Sequence, residues 1–305
     1  RLQADETKRD RMERLLNTSL DWGYILREIK RKKISSFAYY QLRHFNFNNY
    51  LPRDIFEFLR EHYFRICRHN MILIKEAGRI LNGFAQEGIT AMLLKGVFLA
   101  EAIYGDIGLR PVSDNDILIK REDVAKANRI LNALEYRTPA YYEDALEIHS
   151  TSLNSLVYKR QRRVHYIVHL HWNIINSSWP MDRLADTIDM ERIWACAEPV
   201  KIGGVSALTL SPEHCVIYLA HHGFHHYFNR LILAIDIREA LQHYHNRFDW
   251  NLAAREAERF GLSFIVYHSL QRCAQALQFE IPQLERITPQ RIGFLEKIIS
   301  FYIYR

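Results

Sequence analysis

Two carboxylates spaced two positions apart are the most informative chemical feature of the sequence. Asp114 and Asp116 open the segment Asp114–Ile119, whose apolar run predicts a strand. Side chains at i and i+2 of a strand point to the same side, so the two carboxylates should lie side by side. Hard divalent ions such as Mg²⁺ take oxygen ligands of this kind and support phosphoryl transfer. The pair therefore suggests a metal site, although the motif alone also fits a turn before a strand.

A glycine turn precedes the two carboxylates. The apolar run Ile89–Leu94 ends at Lys95 and Gly96, which predicts a strand, a turn and then a short helix over Val97–Tyr104. The backbone amides at the start of such a helix and the positive end of its dipole would hold a triphosphate. Lys95 and Arg110 are possible phosphate contacts, although either could instead belong to an ion pair.

A later segment, Val164–Trp172, alternates between polar and apolar residues, as a strand does. One face carries His165, Ile167, His169 and His171, and the other carries Val164, Tyr166, Val168 and Leu170. The apolar face should belong to the core, so the histidine face should border a cleft or solvent. We favour a cleft for His169, at the metal and nucleotide site. His171 fits that site and an open sheet face equally well.

A second group of histidines lies on a predicted helix, at His221, His222, His225 and His226. A His-x-x-x-His spacing can bind zinc, but the glutamate of a metalloprotease motif and any cysteine partner are missing. Packing or substrate contact is the favoured interpretation. Arg230 and Asp236 follow on the next helix and could form an ion pair at the cleft.

The composition describes the scaffold that must position these groups. Hydrophobic residues make up 48% and charged residues 25% of the 305 residues, which excludes disordered, collagen-like and coiled-coil proteins. The chain has 12 Gly and 8 Pro, fewer than the roughly 21 and 15 of an average protein this long. Few turn-forming residues favour long helices. We predict three regions: helices over 1–88, a mixed α/β core over 89–210, and helices over 211–305.

The remaining elements follow from periodicity and from start and stop signals. Strands are predicted at Ser152–Tyr158 and Val164–Trp172, joined by a basic turn at Lys159–Arg163, and a hairpin at Lys201–Leu210. Helices are predicted at 52–88, Glu122–Leu134, 212–228, 230–245, 249–260 and 263–278. The fold class expected from this order is α+β.

Charge and cysteine content suggest a compartment and a ligand class. The four cysteines are scattered without metal-binding spacing, which indicates reduced thiols in a cytoplasmic protein. No apolar run approaches the ~18 residues of a membrane span, and the charged stretch Arg1–Arg14 does not resemble a signal peptide. The net charge of +6 suits an anionic ligand. The basic run Arg27–Lys33 could contact phosphate, although a solvated helix face is favoured.

Taken together, these motifs resemble a known family. The residues that carry the resemblance are Leu94-Lys95-Gly96, Tyr104-Gly105-Asp106, Gly108, Arg110-Pro111, Asp114, Asp116-Ile117-Leu118-Ile119, Leu170-His171-Trp172, Leu210-Ser211-Pro212-Glu213, His221, His225 and Asp236. They are similar to the bacterial uncharacterised nucleotidyltransferase family, within the DNA-polymerase-beta-like nucleotidyltransferase superfamily. The resemblance spans roughly residues 35–285.

The resemblance implies a small mixed sheet with helices on either side. It also implies transfer of a nucleoside monophosphate from an NTP, most simply ATP, to an acceptor with Mg²⁺ or Mn²⁺ as cofactor. The acceptor could be a small molecule, a protein or RNA, and no membrane partner is expected. Carried over by position, Asp114 and Asp116 would bind metal and Lys95, Gly96, Arg110 and His171 would bind nucleotide.

The sequence departs from the family at the third acidic position, which holds His169. Histidine suits transition metals better than Mg²⁺ and adds no negative charge. Either another acid replaces it, the metal differs, or catalysis is weakened; the nearest spare acids are Glu143, Asp144 and Glu147. We therefore keep two alternatives: a nucleotide-binding or regulatory module without turnover, and a helical interaction protein.

Overall fold

The N-terminal region of the chain is helical. A computed structural model describes residues 6–139, 154–161, 165–175 and 182–289. Four helices come first: α1 (Glu6–Leu16), α2 (Trp22–Arg31), α3 (Ser35–His44) and α4 (Arg53–Gln86). The 34 residues of α4 confirm the long helix predicted at 52–88. The start of α4 packs with the shorter helices around Tyr39 and Leu59, and its second half packs on the central core.

A six-stranded mixed sheet forms the centre of the molecule and confirms the α+β class. Its strands are β1 (Ala91–Leu93), β2 (Asn115–Ile119), β3 (Ser155–Gln161), β4 (His165–His171), β5 (Glu198–Ile202) and β6 (Val205–Thr209). The spatial order is β3-β4-β2-β1-β6-β5. The pairs β2/β4 and β1/β6 are parallel, and the other three pairs are antiparallel.

The predicted strands are confirmed with shifted ends. β3 continues through Lys159 to Gln161, so the basic turn predicted at Lys159–Arg163 is wrong for its first three residues. Continued pairing with His165–Ile167 on β4 satisfies the backbone there, which outweighs the charge of the segment. Residues 162–164 lie outside the described ranges. The helix predicted at Val97–Tyr104 contains a π-helical turn, Leu99–Ile103.

Five of the seven remaining α-helices in the described residues follow the sequence pattern closely. The seven are α5 (Val124–Ala133), α6 (Asp182–Ala185), α7 (Met190–Ala195), α8 (Pro212–His225), α9 (Leu231–His243), α10 (Trp250–Arg259) and α11 (Ser263–Leu277). Short 3-10 helices lie at Asn48–Tyr50, Arg121–Asp123 and Leu284–Ile287. The start signal of α8 is confirmed, since the Ser211 side chain accepts a hydrogen bond from the amide of His214. The two short helices α6 and α7 had no predicted counterpart.

Different helices pack against the two faces of the sheet. On one face the side chain of Asn115 points toward α4, where its amide donates to the carbonyl of Leu73 over 3.2 Å. Asp116, the next residue, points to the opposite face, toward the C-terminal helices. This alternation along β2 places one polar residue against a helix and the next one in a site.

The N-terminal and C-terminal helical regions also touch each other. Ile34 and Phe37 pack against a small buried cluster at the start of α9, formed by Ile232, Leu233 and Ile235. The cysteines Cys67, Cys196, Cys215 and Cys273 are free thiols, as predicted. Within the described part of the chain, none of the helices has both the length and the apolar character needed to cross a bilayer.

Candidate active site

The register of two parallel strands brings the predicted acid and histidines together. Asp116 on β2 lies opposite His169 on β4, and His171 follows two positions later on the same face. The Nε2 atom of His171 lies 3.3 Å and the Nδ1 atom of His169 lies 3.8 Å from Oδ1 of Asp116. The two imidazole rings are 3.9 Å apart between centroids. Asp116 and His169 therefore occupy neighbouring strands with their tips close together, whereas Asp114, which was predicted on the same strand as Asp116, lies just before it.

Lys95 forms an ion pair with Oδ1 of Asp116. Both side chains are buried. The turn at Lys95 and Gly96 is held next to β2 because the backbone amide of Leu94 donates a hydrogen bond to the backbone carbonyl of Asp116 over 3.2 Å. Burial alone would raise the pKa of the Asp116 carboxyl, but the Lys95 ammonium and His171 hold that pKa well below its ordinary value. Asp116 is therefore ionised at neutral pH.

Asp116, His169 and His171 form a group that could hold a metal ion, with donor atoms all within 4.8 Å of one another. Two buried atoms of this group, Oδ2 of Asp116 and Nδ1 of His171, have no hydrogen-bond partner among the described residues. Burial and the neighbouring His171 lower the pKa of His169 to about 3, so its imidazole is neutral and able to bind a metal. One carboxylate with two imidazoles fits a transition metal better than Mg²⁺.

The hydroxyl of Ser155 on β3 supports this group from the neighbouring strand. Its Oγ atom lies 2.9 Å from Nε2 of His169, on the side of the ring away from Asp116. Metal-binding histidines commonly place their second nitrogen against such a partner, which fixes the orientation of the ring.

Asp114 lies immediately before β2, half-buried on the wall of the same cavity. Its Oδ1 atom accepts a hydrogen bond from the hydroxyl of Ser113 over 2.7 Å. Asp114 is not part of the compact group around Asp116, and its predicted role as a metal ligand stays a prediction.

These residues line a cavity of about 380 Å³ between the sheet and the C-terminal helices. The sheet side provides Lys95, Gly96, Arg110, Pro111, Ser113, Asp114, Asp116, His169, His171 and Ile174. The helical side provides Lys33, Tyr218, His221, His222, His225, His226, Arg230, Ile232 and Leu233. Such a volume is within the usual range for small-molecule sites.

Gly96 is required at the turn for two reasons. Its φ of +58° is in the left-handed region, and a Cβ atom there would lie 2.7 Å from the backbone oxygen of Asp114. A side chain at this position would therefore push the turn away from the segment that carries the carboxylates.

We expect Gly96→Ala to lower the free energy of unfolding by about 1–3 kcal/mol, from backbone strain and overlap together. Gly88→Ala is the matched control, since Gly88 also has a positive φ of +73° but open space around its Cβ position. Urea denaturation of both variants measures the difference. Equal losses at the two positions would contradict the close approach at Gly96.

Arg110 forms a buried ion pair with Asp236 of α9. Its Nε and Nη2 atoms donate to the two carboxylate oxygens over 2.8 and 2.9 Å, and the hydroxyl of Tyr104 donates to the same carboxylate over 2.8 Å. Asp236 thus pairs with Arg110, and the ion pair predicted between Asp236 and Arg230 is wrong. Both side chains are buried, and the two parallel hydrogen bonds satisfy both oxygens of the carboxylate. Arg110 lines the cavity, but its Nε and Nη2 atoms are already hydrogen-bonded to Asp236.

His221, His222 and His225 of α8, and His226 just after its end, line the cavity, and their predicted contact with substrate stays a prediction. His221 is 6% exposed, and burial with the nearby His225 and His226 lowers its pKa to about 4. Burial and the charge of Lys95 also hold the pKa of His222 well below its ordinary value. The uncharged imidazoles of His221 and His222 therefore lie on the helical side of the cavity. In the part of the chain that the structure describes, they do not form a metal-binding group.

Several residues in or next to the site were not found from the sequence. Lys33 ends the basic run that was interpreted as a solvated helix face, and only the fold brings it to the cavity. Tyr218 and Ser155 had no signal, because isolated hydroxyl residues in apolar segments are common. The spare acids Glu143, Asp144 and Glu147 lie outside the described residues.

Comparison with known proteins finds a family whose sequences are similar to this chain. The sequence model of a family described as "Uncharacterised nucleotidyltransferase" matches residues 18–278, which include every residue that lines the cavity. A similar solved structure is that of an antigenic nucleotidyltransferase-like protein from Paracoccidioides brasiliensis. It has 14% sequence identity and a TM-score of 0.43, covering 70% of this chain and 91% of that chain. No curated protein matched the sequence.

Proposed function

The chain belongs to the uncharacterised nucleotidyltransferase family, and from that premise we propose that it transfers a nucleoside monophosphate from an NTP to an acceptor hydroxyl. The observation that carries the proposal is the group of Asp116, His169 and His171 on the floor of the cavity, beside the Gly96 turn. The hydroxyl oxygen of the acceptor attacks the α-phosphorus and gives its proton to solvent water. The bond from that phosphorus to the β-phosphate breaks, and pyrophosphate leaves. ATP is the nucleotide we expect, by resemblance to the DNA-polymerase-beta-like superfamily.

The residues of the cavity have separate tasks in this proposal. The turn at Gly96 gives the β- and γ-phosphates backbone amides and a close approach that a side chain would block. Asp116, His169 and His171 would hold a divalent ion, Mn²⁺ more readily than Mg²⁺, with Asp114 as a further carboxylate. Such an ion, when bound, neutralises charge on the phosphates and the leaving group. The imidazoles of α8 cover the cavity and limit access of water.

A second candidate function is a nucleotide-binding module without turnover. The observation in its favour is that the Lys95 ammonium already neutralises Asp116. His169 at the third acidic position adds no charge to draw in a second ion. In such a module the nucleotide would bind but would not react.

Both the enzyme and the module without turnover should bind nucleotide in a metal-dependent way. A measurement of this binding therefore distinguishes them from a protein that has no nucleotide site. We expect calorimetry to detect Mn²⁺-dependent ATP binding by the wild type and no binding by Asp114→Asn/Asp116→Asn. Asp186→Asn/Asp189→Asn is the matched control, since it removes the same charge away from the cavity. Unchanged affinity in the Asp114→Asn/Asp116→Asn variant would reject the site. Release of pyrophosphate then separates the enzyme from the module without turnover.

The departure at position 169 gives a prediction about the metal. We expect the wild type to prefer Mn²⁺ over Mg²⁺, and His169→Asp to raise Mg²⁺-supported activity roughly tenfold by adding a charge close to the ion. A pyrophosphate-release assay with each metal measures both effects. If His169→Asp and His169→Ala are equally impaired with Mg²⁺, the imidazole has a role of its own and the prediction is wrong.

A further inference from the structure

A second charged part of the cavity wall lies where the turn after α2 meets the start of α9. Lys33 and Arg230 both line the cavity there. Ile34, next to Lys33, packs against the cluster that contains Ile232 and Leu233, just after Arg230. A hydrophobic contact between two distant parts of the chain therefore carries these two cations to one place.

Lys33 and Arg230 differ from the other cations of the cavity in their pairing. The other two cations of the cavity are paired, Lys95 with Asp116 and Arg110 with Asp236. Within the described ranges, neither Lys33 nor Arg230 has an ion-pair partner. Partial loss of solvation at the cavity wall, followed by the repulsion of Arg230 and Arg110, lowers the pKa of Lys33, and the Asp114 carboxylate opposes this shift. Two like charges held together in this way favour an anion between them.

The start of α9 adds a positive helix end to the same wall. The helix has 13 residues, and Arg230 is its N-cap without a capping side-chain hydrogen bond. Arg230, Ile232 and Leu233, at and just after this N-terminus, all line the cavity. The amides and dipole at a helix N-terminus attract oxyanions.

An unpartnered buried histidine points independently to a ligand. His221 is 6% exposed and lines the cavity, yet its Nε2 atom has no hydrogen-bond partner among the residues that the structure describes. Buried polar side-chain atoms in proteins are nearly always hydrogen-bonded. A group bound in the cavity would supply the missing partner.

We infer that Lys33, Arg230, His221 and the N-terminus of α9 form a second anion site, which takes a phosphate group. These residues lie on the helical side of the cavity, whereas the Gly96 turn lies on its sheet side. The bound phosphate is either the γ-phosphate of the nucleotide, in which case the turn holds the remaining phosphates, or a phosphate carried by the acceptor. Only this choice of source rests on the proposed function.

The first experiment needs neither metal nor turnover. Inorganic tripolyphosphate is titrated calorimetrically into the full chain at low salt. We expect Lys33→Met/Arg230→Gln to weaken its binding about tenfold or more. The control Lys201→Met/Arg129→Gln removes the same charge from exposed positions outside the cavity and should change affinity less than about twofold. Equal affinity of the wild type and Lys33→Met/Arg230→Gln overturns the inference. If that variant does not fold, Lys33→Met alone replaces it, because Lys33 is exposed.

The second experiment identifies the source of the phosphate, with Mn²⁺ and the unreactive α,β-methylene analogue of ATP. Loss of analogue affinity in Lys33→Met/Arg230→Gln assigns the site to the nucleotide. Unchanged analogue affinity, with loss of inorganic phosphate binding to the analogue-saturated protein, assigns it to the acceptor. If the analogue fails to bind the wild type while tripolyphosphate binding still depends on Lys33 and Arg230, the anion site stands and the proposed function fails.

Discussion

Replacing Asp116 with asparagine should lower the free energy of unfolding by about 3–5 kcal/mol. The substitution leaves the Lys95 ammonium buried without its counter-ion, since Lys95 is 8% exposed and Asp116 is fully buried. A buried charge that loses its partner costs more than the pair contributed. Urea denaturation followed by circular dichroism measures the loss.

The double variant Lys95→Met/Asp116→Asn separates this effect from a general defect in packing. Because both charges are removed, we expect it to recover most of the stability lost in Asp116→Asn. It should nevertheless fail to bind Mn²⁺, since a metal ligand is missing. A double variant no more stable than Asp116→Asn would show that the ion pair does not explain the loss.

Asp236→Asn should also lower the free energy of unfolding by about 3–5 kcal/mol. Asp236 is 1% exposed, and the variant leaves the buried guanidinium of Arg110 without its carboxylate. The pair joins the loop before Asp114 to α9, so nucleotide affinity should fall as well. Thermal and urea unfolding measure the stability, and calorimetry with Mn²⁺ and ATP measures the affinity.

An exposed arginine–carboxylate pair with similar distances provides the control for Asp236→Asn. Arg247 donates to both carboxylate oxygens of Glu198 over 2.8 and 2.9 Å, on the surface of the protein. Glu198→Gln should cost less than about 1 kcal/mol, because water solvates the arginine that remains. Similar losses in Asp236→Asn and Glu198→Gln would contradict the importance of burial at Asp236.

The sequence predicted the scaffold well because its signals are local. Apolar periodicity and the Pro52 position mark α4, and Ser211 with Pro212 marks the start of α8. The exact ends of β1 and β3 were less predictable, since pairing between strands decides where a strand stops. Lys159 and Arg160 of β3 suggested a turn, whereas pairing with β4 keeps them extended.

The site was predictable only where strand alternation fixes the direction of side chains. Alternation placed Asp116 on one face of β2, and it placed His169 and His171 together on one face of β4. Which groups neutralise each other depends on tertiary contacts, which a local pattern does not contain. The sequence thus left Lys95 and Arg110 as either phosphate contacts or members of surface ion pairs, and the fold places them in buried ion pairs with Asp116 and Asp236.

Transfer of a labelled nucleotide tests the central proposal most directly. The protein is incubated with NTPs labelled at the α-phosphate, Mn²⁺ and cell extract, and labelled products are separated by size and chemistry. We predict one labelled acceptor with the wild type, together with pyrophosphate, and none with Lys95→Met/Asp116→Asn. Nucleotide binding without any labelled acceptor or pyrophosphate, at any metal and with any NTP, would contradict nucleotidyl transfer and favour the module without turnover.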